Sequence, residues 1–387
     1  MYDWSSSTGN PTVYWFFYLL LLSILLLCGY RISKGGDLEF KNFAKIAIVS
    51  FGLIEGLRWL RGADYWHYYQ DLATCFQDSI CTPEPELLYD WWVNLFYLTG
   101  LHPTFGFIIY SGLLMGVYVY IYRRQPQAAL WGLPVFFLVC GSTAENLIRQ
   151  TLAMSFLILA YYYYVENKFR KMLISLAVVP FIHISGLYGV TLFLIFIHKK
   201  FPFKWPLLFV GIYCFAYFVW DPVWFSGLAD FLGQFELGDA ARSSYLENTE
   251  RWFTQDGSMA NVLGNKAVVT SVLFDTTEFL TNLCIVYFGF LVCKDNVKLH
   301  VVYYFAFLAL TIKTMCGDIE ILSRFSNWTL WMLPFVVGLI MAKSDVIKNQ
   351  KIKIILFAIF AMKYIFYGVI RAFGSIPYAG CGFIWDK

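Results

Sequence analysis

The chain has 387 residues, of which 59% are hydrophobic and 14% charged, with mean hydropathy +0.58 and a formal net charge of +3. A soluble globular chain carries about one-quarter charged residues, so this composition points away from a water-soluble domain, and so small a positive balance gives no footing for a nucleic-acid partner. The nine cysteines show no CxxC spacing and no zinc-type Cys/His cluster. Walker, GxSxG, HExxH and dinucleotide motifs are absent, leaving ATP, serine-hydrolase and hydride chemistries without support.

Only helical bundles and closed barrels satisfy the backbone in lipid. The apolar runs here are continuous rather than alternating, which predicts helices. The start, MYDWSSSTGNPTVYW, has no basic n-region and no cleavage site, so the first apolar run reads as a retained helix. Spans are expected at about 12–30, 43–59, 105–122, 128–141, 147–165, 170–184, 186–198, 205–223, 267–293, 299–316, 322–342 and 353–372. The fold class is therefore all-α: a polytopic helical bundle of about twelve spans, one integral-membrane domain over residues 1–387.

Basic residues orient the bundle. Arg31, Lys34, Lys41 and Lys45 follow the first span, and Arg123 and Arg124 follow the third. Lys168, Arg170 and Lys171, then His198 to Lys204, Lys294 with Lys298, and Lys343 to Lys353 fall on the same side, which is the inside. Both termini are then outside, and the large outer loops are about 60–104 and 225–265, both rich in Asp and Glu. Within the first, LLYDWWVNLFYL (87–98) reads as an amphipathic helix suited to the interface. Cys75 and Cys81 share that loop and form a disulfide candidate if it is extracytoplasmic. YYYY at 161–164 reads as an interfacial aromatic belt.

The run 172–197 is almost purely apolar yet has basic clusters at both ends. A hairpin keeps both clusters inside, with its tip near FIHISG (181–186) and arms of about 12–15 residues, too short to span the roughly 30 Å hydrocarbon core. Its tip, with His183 and Ser185, is expected in a polar, protein-lined site below the outer surface.

Ionisable groups at the edges of spans are functional candidates. On the outer side these are Arg58, Arg61 and Asp64, then Glu145 and Arg149, His183, then Asp318, Glu320 and Arg324, and Arg371. Arginine rather than lysine fills this set, and guanidinium forks onto carboxylate or phosphate oxygens. Arg58 and Arg61, three apart, are expected on one helix face, where Arg149 and Arg324 can join them around a diphosphate leaving group. Each residue also has a structural reading. The arginines can pair with Glu55, Asp64 or Glu145; Arg371 can snorkel; His183 can be packing; Asp64 can cap a helix. Asp318 and Glu320 are too few for a metal site, and none is expected.

RWLRGADYWHYY (58–69) resembles the Arg-Gly-Asp-Tyr signature of the EpsG family of Wzy-like polysaccharide polymerases. ENLIRQTLAMSF, the basic turn after YYYY, and FIHIS resemble the family's next blocks, the last with one extra residue before the histidine. ILSRFSNW and IPYAG resemble its later ones, while 225–265 matches nothing and is assigned to substrate specificity.

The resemblance implies a glycosyltransferase of bacterial surface-polysaccharide assembly (O-antigen, capsule or exopolysaccharide), similar to GT-C enzymes. Its site would lie on the periplasmic or outer face of the inner membrane. Its partners would be undecaprenyl-pyrophosphate-linked oligosaccharide as both donor and acceptor, membrane lipid, and a chain-length regulator protein, with no cofactor. Carried onto this sequence, Arg58, Arg61, Arg149 and Arg324 would bind pyrophosphate. Displacement of a pyrophosphate needs one base and would invert the anomeric centre. His183 and Asp64 are the catalytic candidates. Histidine has an ordinary pKa near 6.5, whereas a carboxylate among arginines is a weak base, which favours His183 as base and Asp64 in support. Tyr65, Tyr68 and Tyr69, with Trp66, Glu145 and Glu320, are the candidate sugar contacts. A lipid-linked oligosaccharide flippase, or an O-antigen ligase or other GT-C glycosyltransferase, stays open as an alternative.

Overall fold

The computed structural model describes residues 9–62, 64–74, 86–197, 205–220, 268–316, 320–343, 347–373 and 379–386. Asn10 caps the first helix by accepting from the Thr12 N–H at 2.9 Å, and Pro11 starts it where its missing N–H costs nothing. This is α1 (Pro11–Lys34), followed by α2 (Asp37–Gly56), a short strand β1 (Arg58–Arg61), α3 (Tyr65–Thr74) and α4 (Leu87–Leu98). Then come α5 (Pro103–Ile121), α6 (Ala129–Asn146), α7 (Ile148–Val165), α8 (Phe169–Ile182), α9 (Gly186–Phe196) and α10 (Pro206–Phe218). The rest is α11 (Val268–Cys293), α12 (Val297–Cys316), α13 (Glu320–Leu330), α14 (Leu333–Ala342), α15 (Gln350–Phe373) and strand β2 (Ala379–Phe383).

The chain is a polytopic helical membrane protein. Among the described residues, six helical stretches have the length and apolarity to cross a bilayer: Pro11–Lys34, Pro103–Arg124, Pro126–Asn146, Asp275–Cys293, Val297–Cys316 and Arg324–Ala342. The last joins α13 to α14. Other helices at the expected span positions fall short for visible reasons. α2 carries Asp37, Glu39, Lys41, Lys45 and Glu55, and α8, α9 and α10 are short.

Helix α6 is buried without interruption from Trp131 to Gly141, against α1 on one side and α14 on another. A helix apolar all round belongs in the middle of a bundle. The closest neighbours are α2 and α5. A Cβ on Gly56 would collide with Ile108, and one on Gly52 would lie 3.2 Å from the Gly112 Cα, so small residues at four-residue spacing let these helices touch backbone to backbone.

The helix breaks at His183–Ser185, between α8 and α9, which pack on each other. That is where the hairpin tip was expected. Segment 60–104, expected as a loop, holds α3 and α4. These two build an aromatic core of their own with α5, from Trp59, Tyr65, Tyr68, Tyr89, Phe96, Phe107 and Tyr110. On α4 the opposite side, Leu87, Trp91, Leu95 and Leu98, is exposed and apolar.

One end of the bundle is closed by cations on helix carbonyls. Lys298 Nζ donates to Val165 O at 2.6 Å and Asn167 Oδ1 at 2.9 Å, Lys343 Nζ donates to Val292 O at 2.8 Å, and Arg124 Nε meets Glu166 at 2.6 Å. The two lysines satisfy orphaned carbonyls at helix C-termini. The opposite end, where α2, α6 and α8 finish and α7 and α9 begin, holds the candidate site.

Candidate functional site

The stretch RWLRGAD does not continue α2. The helix stops at Gly56, and Arg58–Arg61 pairs antiparallel with Ala379–Phe383, so the expectation of a shared helix face for Arg58 and Arg61 is corrected. In a regular strand, residues three apart point to opposite faces. Here the register slips between Trp59 and Arg61, and Leu60 takes the left-handed conformation at φ 51°. The extra residue lies on the Ala379–Phe383 strand, and with Leu60 in this conformation both arginines turn back toward the end of α2. Arg58 Nη1 donates to Glu55 O at 2.7 Å, and Arg61 Nη2 to Ile54 O at 3.3 Å. They thus occupy carbonyls that the end of the helix leaves without partners.

Their charges are matched in the same place. Arg61 lies 3.1 Å from Glu145 and 3.9 Å from Glu55, and its guanidinium also covers Phe383 (4.8 Å) and Tyr14 (5.6 Å). Arg58 packs over Phe107 at 4.9 Å. At 1% and 2% exposure, neither arginine reaches a surface. Gly62 then turns the chain at φ +100°, where an added Cβ would press on Glu145 O and the Asn146 Cα at 3.1 Å. The Asp64 N–H donates to Asn146 Oδ1 at 3.1 Å, which pins the turn to the end of α6. The Arg-Gly-x-Asp spacing is therefore a docking geometry on α6.

A second cluster sits beside the first and is half open. Arg149, at the start of α7, places Nη1 3.0 Å from Glu86 Oε2, and its guanidinium lies over Tyr89 and Tyr68. His183 Nδ1 lies 3.1 Å from Glu86 Oε1 and 3.3 Å from Ser185 Oγ. The Ile184 N–H also donates to Glu86 Oε1, at 3.3 Å, and Trp328 Nε1 donates to Ser185 Oγ at 3.1 Å. Gln150 Nε2 donates to Arg324 O at 3.2 Å, bringing α13 alongside α7. The side chains of Arg149 and His183 are 20% and 27% exposed, against 5% for Glu86. Burial tends to raise the Glu86 carboxyl, but its hydrogen bond and charge interaction with His183, with the Arg149 charge, hold it below the ordinary value. Burial pushes the Tyr68 phenol up to about 12, so it stays a hydrogen-bonding neutral group.

A family model, EpsG family, matches residues 41–379, nearly the whole chain. The chain belongs to the EpsG family. Wzy-like polysaccharide polymerases make up this family, and a membrane-embedded bundle of apolar helices suits that work in general. No curated protein and no solved structure gives a significant match. In this EpsG-family member the Arg-Gly-x-Asp, IRQ, HIS and SRFSNW stretches, spread over the chain, converge on one end of the bundle.

Other expected residues sort by exposure. Tyr65 and Tyr68 are buried, and Tyr65 stacks on Phe107 at 4.9 Å and on Tyr69 at 6.1 Å. Trp66 and Tyr69 stack on each other at 5.3 Å and are the half-exposed pair of the set. Glu145, weighed as a sugar contact, is buried against Arg61. Cys75, Cys81, Asp318 and the segment 225–265 lie outside the described residues, as do the side chains of Glu320 and Arg371. Glu86 stood in the sequence only as one acidic residue among several in 60–104. No local signal marks it, because its partners Arg149 and Ile184 are 63 and 98 residues away.

Proposed function

We propose that the chain is a membrane glycosyltransferase that polymerises undecaprenyl-pyrophosphate-linked oligosaccharide repeat units on the periplasmic or outer face of a bacterial inner membrane. The observation that carries this reading is the half-open cluster, where a histidine and an arginine stand within 3.1 Å of one carboxylate at the meeting point of four family stretches. In this reading the bundle crosses the membrane about twelve times, with the exposed apolar side of α4 lying at the interface.

His183 takes the proton from the acceptor hydroxyl as that oxygen attacks the anomeric carbon. The pyrophosphate leaves from the opposite face, which inverts the centre. Arg149 and Arg324 offset the charge that builds on the leaving group. Arg58 and Arg61, buried behind them, hold the end of α2 and the Asp64 turn in place, and Asp64 supports the arginine or the sugar. Trp66 and Tyr69 present aromatic surface to sugar rings. The step uses no cofactor and no metal, because a pyrophosphate already leaves readily.

Incubating the purified protein with lipid-linked repeat unit tests the reading. A ladder of products on a gel is expected. One-step transfer to another acceptor would make the protein a ligase, and an unreacted substrate would point to transport. Activity is expected to survive EDTA; its loss would bring Asp318 and Glu320 forward as cation ligands.

A further inference from the structure

Glu86 is a carboxylate that holds three partners at this end of the bundle. It comes from the residue just before α4, on a different segment from every partner it holds. Its two oxygens meet Arg149 Nη1 (3.0 Å), His183 Nδ1 (3.1 Å) and the Ile184 N–H (3.3 Å). Paired with an arginine and accepting a backbone N–H, it is an ionised acceptor with no proton to give. The nitrogen facing it must therefore carry the proton.

Ser185 agrees with that assignment. Its Oγ accepts from the Trp328 indole N–H at 3.1 Å and keeps a second lone pair for an Nδ1–H, at 3.3 Å. The ring also meets Trp328 edge to face, with centroids 6.0 Å apart, which fixes its plane. Among the described residues, His183 Nε2 has no hydrogen-bond partner, and the side chain is 27% exposed. A neutral imidazole protonated at Nδ1 has its lone pair at Nε2.

We propose that Glu86 is the positioning residue of this site: it holds His183 in the Nδ1–H tautomer with Nε2 presented to the acceptor hydroxyl, and stabilises the imidazolium formed on proton transfer. This rests on the reading of His183 as the base. As the acceptor oxygen bonds to the anomeric carbon, Nε2 takes the hydroxyl proton and the carbon–oxygen bond to pyrophosphate breaks with its electron pair. The imidazolium then faces a carboxylate across 3.1 Å, and later passes its proton to water or to the released pyrophosphate. The same carboxylate fixes Arg149, so base and cation are set by one residue.

The test compares the full-length wild type with Glu86→Gln, His183→Ala and the double variant, following ladder formation and donor binding separately. Glu86→Gln keeps the size and removes the charge. It is expected to lower kcat by about 100-fold or more, the scale of general-base assistance, with KM for the lipid-linked donor within about threefold. Glu86→Asp, which keeps the charge, should recover part of the lost kcat. The double variant should be no slower than His183→Ala alone, because Glu86 acts through the histidine. An unchanged kcat in Glu86→Gln, or a further tenfold loss in the double variant, would overturn the proposal. If Glu86→Gln does not accumulate in the membrane, Glu86→Asp takes its place: partial activity, with the Glu86→Asp, His183→Ala pair no slower than His183→Ala alone, supports the proposal, and an additive loss overturns it. A wild type that makes no ladder defeats the polymerase reading itself, and a fully active His183→Ala defeats the reading of His183 as base; none of the Glu86 outcomes does either.

Discussion

Two arginine–glutamate clusters stand side by side and behave differently. Arg58 and Arg61 with Glu55 and Glu145 form a sealed knot, whereas in the cluster with Glu86 the Arg149 and His183 side chains stay 20% and 27% exposed. In the sealed knot the charges are spent on one another or on the carbonyls that end α2. In the open cluster one carboxylate serves two nitrogen groups and leaves Nε2 of His183 with no protein partner among the described residues. Residue type alone does not separate them. What separates them is whether the group has anything left to offer a ligand.

The sharpest way to break the comparison is to remove one charge from the knot. Arg61→Ala removes the guanidinium 3.1 Å from the buried Glu145, and truncating one member of a buried pair costs about 3–5 kcal/mol. A large fall in melting temperature in detergent is expected, while the protein that remains folded still makes polymer. A well-folded Arg61→Ala that has lost chain growth would put Arg61 in contact with substrate. On the open side, His183→Ala should slow chain growth by about 100-fold or more and leave both melting temperature and donor binding close to wild type. A matching loss of stability would return His183 to a packing role.

Smaller perturbations sharpen the boundary between the two. Gly62→Ala, forced into φ +100° against Asn146, should cost about 1 kcal/mol or somewhat more, read as a modest drop in melting temperature. No drop would mean that the turn relaxes without loosening Asp64. The smallest effect is that of acid. The folded Glu86 carboxyl lies below its ordinary value of 4.5. Its pairing therefore contributes fully above that value and fades as pH falls through the lower folded one. Melting temperatures recorded from pH 7 to pH 3 should show this loss only at the acid end, and Glu86→Gln should remove that part of the slope.

Much of the scaffold was legible. The break between α8 and α9 follows from basic clusters at both ends of one apolar run, a pattern that a single crossing cannot accommodate. His183 lies in that break, between two short helices and beside Glu86. The strand at Arg58–Arg61 was not legible, because a strand exists only with its partner. That partner, Ala379–Phe383, follows the last helix. Without it, an apolar stretch ending in arginine reads as more helix. The buried tyrosines were missed for a similar reason. Tyr65 and Tyr68 read in sequence as sugar contacts, and only the packing of α3 and α4 on α5 encloses them. Glu86 was invisible because its role is entirely long-range.

The pairing of β1 with β2 also sets a schedule. Residues 58–61 emerge early in synthesis, and their strand partner emerges only after α15, with Phe383 the ring that lies over Arg61. Until that later segment arrives, the end of α2 lacks its ladder and Arg61 lacks part of its cover. The buried knot can therefore be finished only after the helices from α3 to α15 have been made, and a chain stopped short of β2 cannot assemble it ahead of time.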